Sequence, residues 1–178
     1  MIYGQRIRLR APEREDLPRF VAWLNDPEVR EGLTIPLPLS MGEEERWFER
    51  MLNSPTPEHP LVIEVAEGEN WKPVGNSGFH EFDWRVRWGE VGLFIGEKTY
   101  WNRGYGTEVM RLLIKHGFET LNLNRIQLRV HEDNLRAIRC YEKAGFIHEG
   151  RFRQGMYQDG RYQDVLFMSV LRSEWNFE

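Results

Sequence analysis

Cysteine is nearly absent from this sequence: Cys140 is the only one among 178 residues. A single thiol cannot form an internal disulfide or supply a cysteine-rich zinc site. No apolar run approaches the length of a membrane span, and the N-terminal residues lack the apolar core of a signal peptide. We therefore expect a cytoplasmic protein with no metal site and no membrane-spanning segment.

Positive charge is not in excess either. Lys and Arg number 24 against 28 Asp and Glu, which gives a formal net charge of -4. This balance argues against a nucleic-acid partner and is compatible with a cationic small molecule. A hydrophobic content of 40% with 13% aromatic residues indicates a folded chain. The length suits one core, so we assign residues 1–178 to a single domain.

A strand, a turn and a helix in the middle of the chain carry the first functional signal. The apolar run at residues 91–96 has the length of a buried strand, and apolar residues at helical spacing begin at Met110. Between them lie Gly104 and Gly106, which have no Cβ and let a ligand approach the main chain. The unpaired N–H groups of the helix start favour a phosphate or pyrophosphate there.

The spacing of these glycines excludes the common nucleotide-binding motifs. No G-x-x-x-x-G-K-[ST] string occurs, and the position of the third glycine in a dinucleotide fingerprint is Val109. An ordinary tight turn remains an alternative for two glycines. The string from Trp101 to Gly106 resembles the Q/R-x-x-G-x-G/A pyrophosphate loop of the GNAT N-acetyltransferases, with Trp101 where that pattern has Gln or Arg.

Periodicity predicts the remaining elements. Residues 6–10 alternate as a first strand, and we expect their three arginines to lie on a solvated face. Helix signals follow from residue 17, at Asp26-Pro27 and after Ser40. Further strands are predicted at 61–66, 74–82, 90–95 and 125–130, and Asp159-Gly160 is a hairpin signal between the last two strands. This order predicts a mixed sheet with helices on both faces.

A second motif is more specific than the glycines. The stretch from Asn134 to Phe146 matches the GNAT signature N-x-x-A-x-x-x-Y-E-K-x-G-F at every fixed position. It lies one strand and one helix after the glycine turn, as in that family. The chain ends resemble the branch that contains ribosomal-protein N-terminal acetyltransferases and spermidine acetyltransferases. The resemblance spans nearly the whole chain.

This resemblance implies a fold, a co-substrate and its contacts. The fold would be α/β, with a mixed, mostly antiparallel twisted sheet, helices on both faces and a splayed parallel strand pair. Acetyl-CoA would enter between the splayed strands, and Asn134 would bond its arm or fix the start of a helix. Phe94 and Ile95 would line the arm. The pyrophosphate would be held by the residues of the glycine turn, namely Asn102, Arg103, Gly104, Tyr105, Gly106 and Thr107.

The same resemblance suggests catalytic groups. Tyr141 would protonate the departing thiolate, because a phenol stays protonated at neutral pH. The main-chain N–H near Ile95 would polarise the thioester carbonyl. Glu90 is the candidate base, by analogy with acidic residues at the same strand start in related enzymes. His80, Glu81 and Glu28 are weaker candidates for contacting the acceptor, and Cys140 is interpreted as structural.

We therefore predict an acetyl-CoA-dependent N-acetyltransferase. Its acceptor would be a primary amine, either a protein N-terminal α-amine or a small amine that attacks the thioester directly. A polyamine acceptor of the spermidine type and a non-catalytic acyl-CoA-binding module are the alternatives. The apolar loop at residues 32–39 could wall the acceptor pocket, and Trp84 with Trp88 could serve a homodimer interface.

Overall fold

The computed structural model describes residues 1–33, 38–158 and 160–175. Its helices are α1 (Leu17–Leu24), α2 (Pro27–Arg30), α3 (Met41–Leu52), α4 (Tyr105–Lys115) and α5 (Leu135–Ala144). Its strands are β1 (Ile2–Tyr3), β2 (Ile7–Arg10), β3 (Leu61–Glu67), β4 (Asn70–Asp83), β5 (Trp88–Ile95), β6 (Arg125–His131), β7 (Ile147–Gln158) and β8 (Arg161–Leu171). No helix within these ranges is long and apolar enough to cross a bilayer.

In the described part of the chain, eight strands form one sheet in the order β1-β2-β3-β4-β5-β6-β8-β7. Only β5 and β6 pair in parallel, and the other neighbours are antiparallel. The predicted mixed, mostly antiparallel sheet is therefore confirmed. The central connection from β5 to β6 runs through α4, as a parallel crossover requires.

Helices cover both faces of the sheet because the side chains of its inner strands alternate between two apolar clusters. On β3, Val62 packs with residues of α1, α2 and α3, whereas Ile63 and Val65 pack with residues of α4 and α5. The side chains of Met110 and Phe118 are fully buried on the α4 side, as their helical spacing predicts.

The parallel pair separates soon after it forms. Register extends only from Trp88–Arg125 to Glu90–Gln127, and beyond that point β6 pairs with β8 alone. At the same level, β4 contains a bulge in which His80 is the extra residue between Phe79 and Glu81. A bulge increases local twist and bends its strand. The two strands thus diverge into a cleft, in agreement with the splayed pair that the family resemblance implies.

The prediction that the arginines of residues 6–10 lie on a solvated face is wrong for Arg8 and Arg10, whereas the side chain of Arg6 is half exposed. Arg8 and Arg10 both donate to the carboxylate of Glu64, and Arg10 also donates to both oxygens of Asp16. Glu64 is only 4% exposed. The alternation indicated correctly that Arg8 and Arg10 share a face, but that face is covered by α1 and its flanking turns, so these two arginines neutralise buried carboxylates.

Strand boundaries also differ from the predictions, most of all at β1 and β4, while β5 begins at Trp88 and not at residue 90. β1 had no periodic signal because it contains only Ile2 and Tyr3. β4 begins at Asn70, inside the segment interpreted as a polar turn. The hairpin between β7 and β8 has the expected register, with Gln158 opposite Arg161 and Gly160 at a φ of 80°. Asp159 lies outside the described residues.

The buried network of Glu64 gives a stability prediction. Replacing Glu64 with alanine should lower the free energy of unfolding by about 3 kcal/mol, because two largely buried arginines lose their carboxylate. Replacing Glu49 with alanine should lower the free energy of unfolding by less than about 1 kcal/mol, because its ion pair with Arg14 is exposed to solvent. Urea unfolding of both variants measures the difference. Equal losses would contradict the structural importance of the network.

Candidate active site

The glycine turn presents the start of α4 without a side-chain cap. Gly104 occupies the N-cap position with a φ of 83°, a left-handed conformation that suits glycine. Among the described residues, no side chain caps the first turn of this helix by accepting a hydrogen bond. Its N–H groups are therefore free to bind an anion, and the helix dipole favours negative charge at the same point.

A salt bridge from the other end of the sequence holds this turn in place. The main-chain N and Nε of Arg6 donate to the two carboxylate oxygens of Glu108 at 2.8 and 2.9 Å. Arg6 Nη1 also donates to the carbonyl of Arg103 at 3.1 Å, and its guanidinium lies 4.6 Å from the ring centroid of Tyr105. Arg6, expected on a solvated face, is half exposed and also ties the glycine turn to the start of β2.

A cavity of about 440 Å³ runs along the splayed strands and past this turn. Six of the predicted cofactor residues line it, namely Ile95, Asn102, Gly104, Gly106, Thr107 and Asn134. The cavity can therefore accommodate a phosphate at the uncapped helix start and an extended arm beside β5. Gly106 is also where α4 approaches α5, since a Cβ there would lie 3.1 Å from the sulfur of Cys140.

Three other predicted cofactor residues do not line that cavity. The aromatic rings of Tyr105 and Tyr100 pack with centroids 5.9 Å apart, and the guanidinium of Arg103 lies 5.6 Å from the ring centroid of Tyr100. Phe94 lies on the opposite face of the sheet and contacts Trp23 edge to face. The cofactor roles assigned to Phe94, Arg103 and Tyr105 remain predictions, and their placement supports a structural role for each side chain.

Asn134 fixes the start of α5, which is one of the two roles expected of it. Its Oδ1 accepts a hydrogen bond from the main-chain N–H of Ala137 at 3.1 Å, so it caps α5. A Cβ on Gly32 would lie only 2.5 Å from Asn134 Nδ2. The absence of a side chain at Gly32 lets the connection between α2 and α3 close against the start of α5.

Arg136 is a cofactor-site candidate that the sequence motifs did not indicate. It lines the 440 Å³ cavity, and its guanidinium lies 3.8 Å from the ring centroid of Trp101. Trp101 in turn donates its indole N–H to the carbonyl of Ile95 at 2.7 Å. Burial lowers the pKa of Arg136, and no carboxylate among the described residues forms an ion pair with it. Trp101 thus holds the Arg136 guanidinium, which comes from α5, beside the glycine turn. The family motif has Gln or Arg at the position of Trp101 itself.

A second cavity of about 850 Å³ adjoins the first. Tyr141 and Leu93 line both cavities, and the larger one extends to α3 and to the loop residues Gly32, Leu33 and Leu39. The apolar loop was expected to wall an acceptor pocket; these described residues line this cavity, and its use by an acceptor stays a prediction. Residues 34–37 of that loop lie outside the described residues.

Tyr141 lies at the junction of the cavities and is only 8% exposed. Burial raises the pKa of its phenol well above its ordinary value. The group therefore stays protonated throughout the neutral and mildly alkaline range. No described residue forms a hydrogen bond with its hydroxyl, which leaves that proton available to a bound molecule.

Glu90 lies where β5 and β6 separate and is 4% exposed. Its Oε1 accepts a hydrogen bond from Arg129 Nε at 2.7 Å and lies 2.6 Å from Arg129 Nη2 in the same ion pair, and its Oε2 accepts a hydrogen bond from Gln127 at 3.3 Å. Burial alone would raise the pKa of Glu90, but hydrogen bonds from His80 and Arg129 outweigh it and lower the pKa. Glu90 is therefore a firmly ionised carboxylate and a weak base by itself.

His80 lies beside Glu90 in the lining of the larger cavity. Its Nε2 lies 3.2 Å from Glu90 Oε1, and its side chain is half exposed. The ring stands over Gly92, where a Cβ would lie 3.4 Å from His80 Cε1. The bulge thus places the His80 imidazole at the opening of the cleft, with its Nε2 held by the Glu90 carboxylate. Glu81 and Glu28 form ion pairs with Arg129 and Lys98 instead.

Cys140 has the surroundings of a structural thiol. Burial raises its pKa, and the hydroxyl of Thr107 lies 3.6 Å from its sulfur. A thiol with a raised pKa is a poor nucleophile. Within the described ranges, no group of three or more His, Cys, Asp or Glu side chains is arranged to hold a metal ion.

Comparison with known proteins adds the family. A sequence model described as an acetyltransferase (GNAT) domain matches residues 6–147. The chain belongs to the GNAT acetyltransferase family. An uncharacterized N-acetyltransferase p20 from Bacillus licheniformis is 30% identical over 175 residues, which cover 98% of this chain and 97% of that protein.

Solved structures of similar fold include one with a bound cofactor. The spermidine N-acetyltransferase from Vibrio cholerae, solved in complex with CoA and spermine, superposes with a TM-score of 0.87 at 26% identity. The match covers 96% of this chain and 98% of that one. This GNAT enzyme is thus an N-acetyltransferase that uses acetyl-CoA as co-substrate, and the uncapped α4 start and the Arg136 cation fit its diphosphate.

The placement of Arg136 makes it a test of the cofactor cleft. Replacing Arg136 with methionine should weaken CoA binding about 10-fold, because one charge-assisted contact to phosphate is lost. Replacing Lys115, at the far end of α4, with methionine should leave the affinity within about 2-fold. Isothermal titration of CoA measures both. Unchanged affinity in the Arg136 variant would remove this residue from the site.

Proposed function

We propose that this GNAT enzyme transfers the acetyl group of acetyl-CoA to a primary amine that enters through the 850 Å³ cavity. One observation carries this proposal: Tyr141 lines the cavity beside the glycine turn as well as the cavity below α3. A phenol at such a junction can serve a reaction between molecules that arrive from the two sides. The acceptor would be a protein N-terminal α-amine or a small amine.

The roles of the side chains follow from their positions. When bound, acetyl-CoA supplies a thioester, whose carbonyl carbon is attacked by the amine. The first turn of α4 and Arg136 hold the diphosphate, and the main chain of β5 near Ile95 polarises the carbonyl oxygen. Tyr141 gives its proton to the sulfur as the carbon–sulfur bond breaks. A phenol kept neutral by burial suits this role.

Proton removal from the amine is assigned to Glu90 acting through His80. Glu90 alone is held ionised by Arg129, whose positive charge weakens it as a base. When His80 donates its Nε2 proton to Glu90, its Nδ1 carries a lone pair that can accept a proton from the amine. The carboxylate then stabilises the imidazolium, as in other carboxylate–histidine pairs.

The nature of the amine decides how strong this base must be. Freeing a lysine-like amine with a pKa of about 10.4 at pH 7 costs roughly 4.6 kcal/mol, whereas an α-amine near 8 costs about 1.4 kcal/mol. A polyamine acceptor is the second candidate, and the similarity to the spermidine enzyme of Vibrio cholerae favours it. A non-catalytic acyl-CoA-binding module would have no need for the paired His80 and Glu90.

Two expectations accompany this function. A cytoplasmic location stays a prediction from the sequence, and so does a homodimer. Trp84 is half exposed and stacks on Phe82 at a centroid distance of 4.7 Å, which supports an aromatic surface at the β4–β5 connection.

Tyr141 gives the first test of the mechanism. Replacing it with phenylalanine should lower kcat by 10²- to 10⁴-fold, because the thiolate then leaves without a proton donor. CoA affinity should stay within about 2-fold, since the hydroxyl contributes little to binding. Thiol release across an amine panel and isothermal titration measure the two effects. Retained turnover would exclude Tyr141 as the acid, and loss of CoA binding would indicate a structural role.

The His80–Glu90 pair gives the second test. Replacing His80 with glutamine should lower kcat/KM by about 10²-fold and flatten the acidic limb of its pH profile, because the proton acceptor is removed. Glu90→Gln should lower it in the same direction. His148 is a matched control, because it contacts Glu142 at 3.0 Å outside both cavities. Wild-type profiles in the His80 variant would refute the assignment, as would an equal loss in His148→Gln.

A further inference from the structure

One carboxylate interrupts the apolar face of α3. Glu44, Phe48 and Met51 follow one another on the buried side of this helix, and Glu44 is only 5% exposed. The face packs on α1 and on the sheet, where an apolar residue would normally stand. A buried carboxylate on such a stripe costs stability unless something neutralises or binds it.

Nothing in the described residues binds this carboxylate. Glu44 forms no ion pair or hydrogen bond there, whereas the adjacent Glu43 caps its own helix through Ser40. Burial raises the pKa of Glu44 to about 7. Glu64, which is equally buried, is instead bound by two arginines. Glu44 therefore differs from Glu64 in having no side-chain partner within the part of the chain that the structure describes.

Glu44 lines the 850 Å³ cavity together with Asn76 and Ser77. Asn76 Oδ1 and Ser77 Oγ are buried, and neither has a hydrogen-bond partner among the described residues. Asn76 stands opposite Val62 and Phe94 in the sheet, and both of these pack with residues of α3. Because opposite residues share a sheet face, the Asn76 amide lies on the same side as Glu44.

The chemistry of these groups indicates a ligand rich in donors. A carboxylate and an amide oxygen on one face, both without a partner among the described residues, suit an ammonium group, which has only donors. Other charged side chains also line the cavity. Glu90 already forms an ion pair with Arg129, and Arg46 and Arg50 are exposed to solvent on α3. The remaining ionisable groups that line it among the described residues are Glu43, Glu58, His80 and Tyr141.

We propose that Glu44 and Asn76 form a subsite for a second cationic group of the amine acceptor. The enzyme then selects acceptors with two positive charges, one amine reacting near Tyr141 while the other binds below α3. This inference rests on the proposed function, because it assigns the acceptor to the same cavity. It adds the feature that distinguishes the acceptor, namely a second ammonium group.

Steady-state kinetics with α,ω-diamines of three to eight carbons and the matching monoamines test this subsite. The wild-type enzyme should prefer at least one diamine over its monoamine. Glu44→Gln and Glu44→Leu should lower kcat/KM for that diamine about 10- to 100-fold, mainly through KM. Monoamine kinetics and the KM of acetyl-CoA should change by less than about 3-fold. Glu45→Gln, an exposed neighbour on α3, should behave like the wild type.

Thermal stability separates recognition from a structural role. Between about pH 4.5 and 7 the folded protein binds the Glu44 proton more tightly than the unfolded chain, so rising pH erodes wild-type stability across this window. Glu44→Leu should therefore raise the Tm, and more at pH 8 than at pH 5.5. A stabilised variant that is impaired only with diamines supports the subsite.

Three outcomes would overturn the inference. These are unchanged diamine kinetics in both Glu44 variants, an equal loss for diamines and monoamines, and no diamine binding by titration of the wild-type protein with CoA present. Failure of the proposed function has a different signature: diamines would bind in a Glu44-dependent way without any thiol release from acetyl-CoA. The two ideas can therefore fail separately.

Discussion

The early end of the parallel ladder between β5 and β6 determines the rest of the site. Pairing stops after Glu90 and Gln127, and each strand then continues with a different neighbour. The gap leaves one edge of β5 free for an extended ligand. It also directs α4 and α5 so that their N-terminal ends meet the same cavity. A continuous parallel sheet would close the cleft.

An ion pair with a buried carboxylate holds the diverging strands β5 and β6 in a fixed geometry. Glu90 on β5 accepts a hydrogen bond from Arg129 on β6 within an ion pair, which joins the strands just where the ladder ends. On the far side of the sheet, Arg6 holds the start of α4 through Glu108. A buried ion pair contributes little net stability but fixes one arrangement of its partners. Here the arrangement matters because the reacting groups come from separate elements.

The sequence predicted those parts of the molecule that depend on local spacing. Helical periodicity identified the buried side of α4, and the motif around Tyr141 identified the family. Tertiary pairing was not predictable in this way, since Arg8 and Arg10 have the pattern of a solvated face and yet bind Glu64. Arg136 and Glu44 were missed for the same reason. Arg136 stacks on Trp101, which is distant in the sequence, and Glu44 lies on the apolar face of a helix. Neither contact occurs at a fixed sequence separation that a motif could show.

The central claim is that the β5 edge and the uncapped α4 start together form the coenzyme site. Residue-resolved amide hydrogen exchange, with and without CoA, tests it most directly. We predict slower exchange in Tyr105, Gly106 and Thr107 and along β5 beyond Glu90, with little change in the β7–β8 hairpin. Bound CoA with no added protection at either place would contradict this account of the fold and of its chemistry.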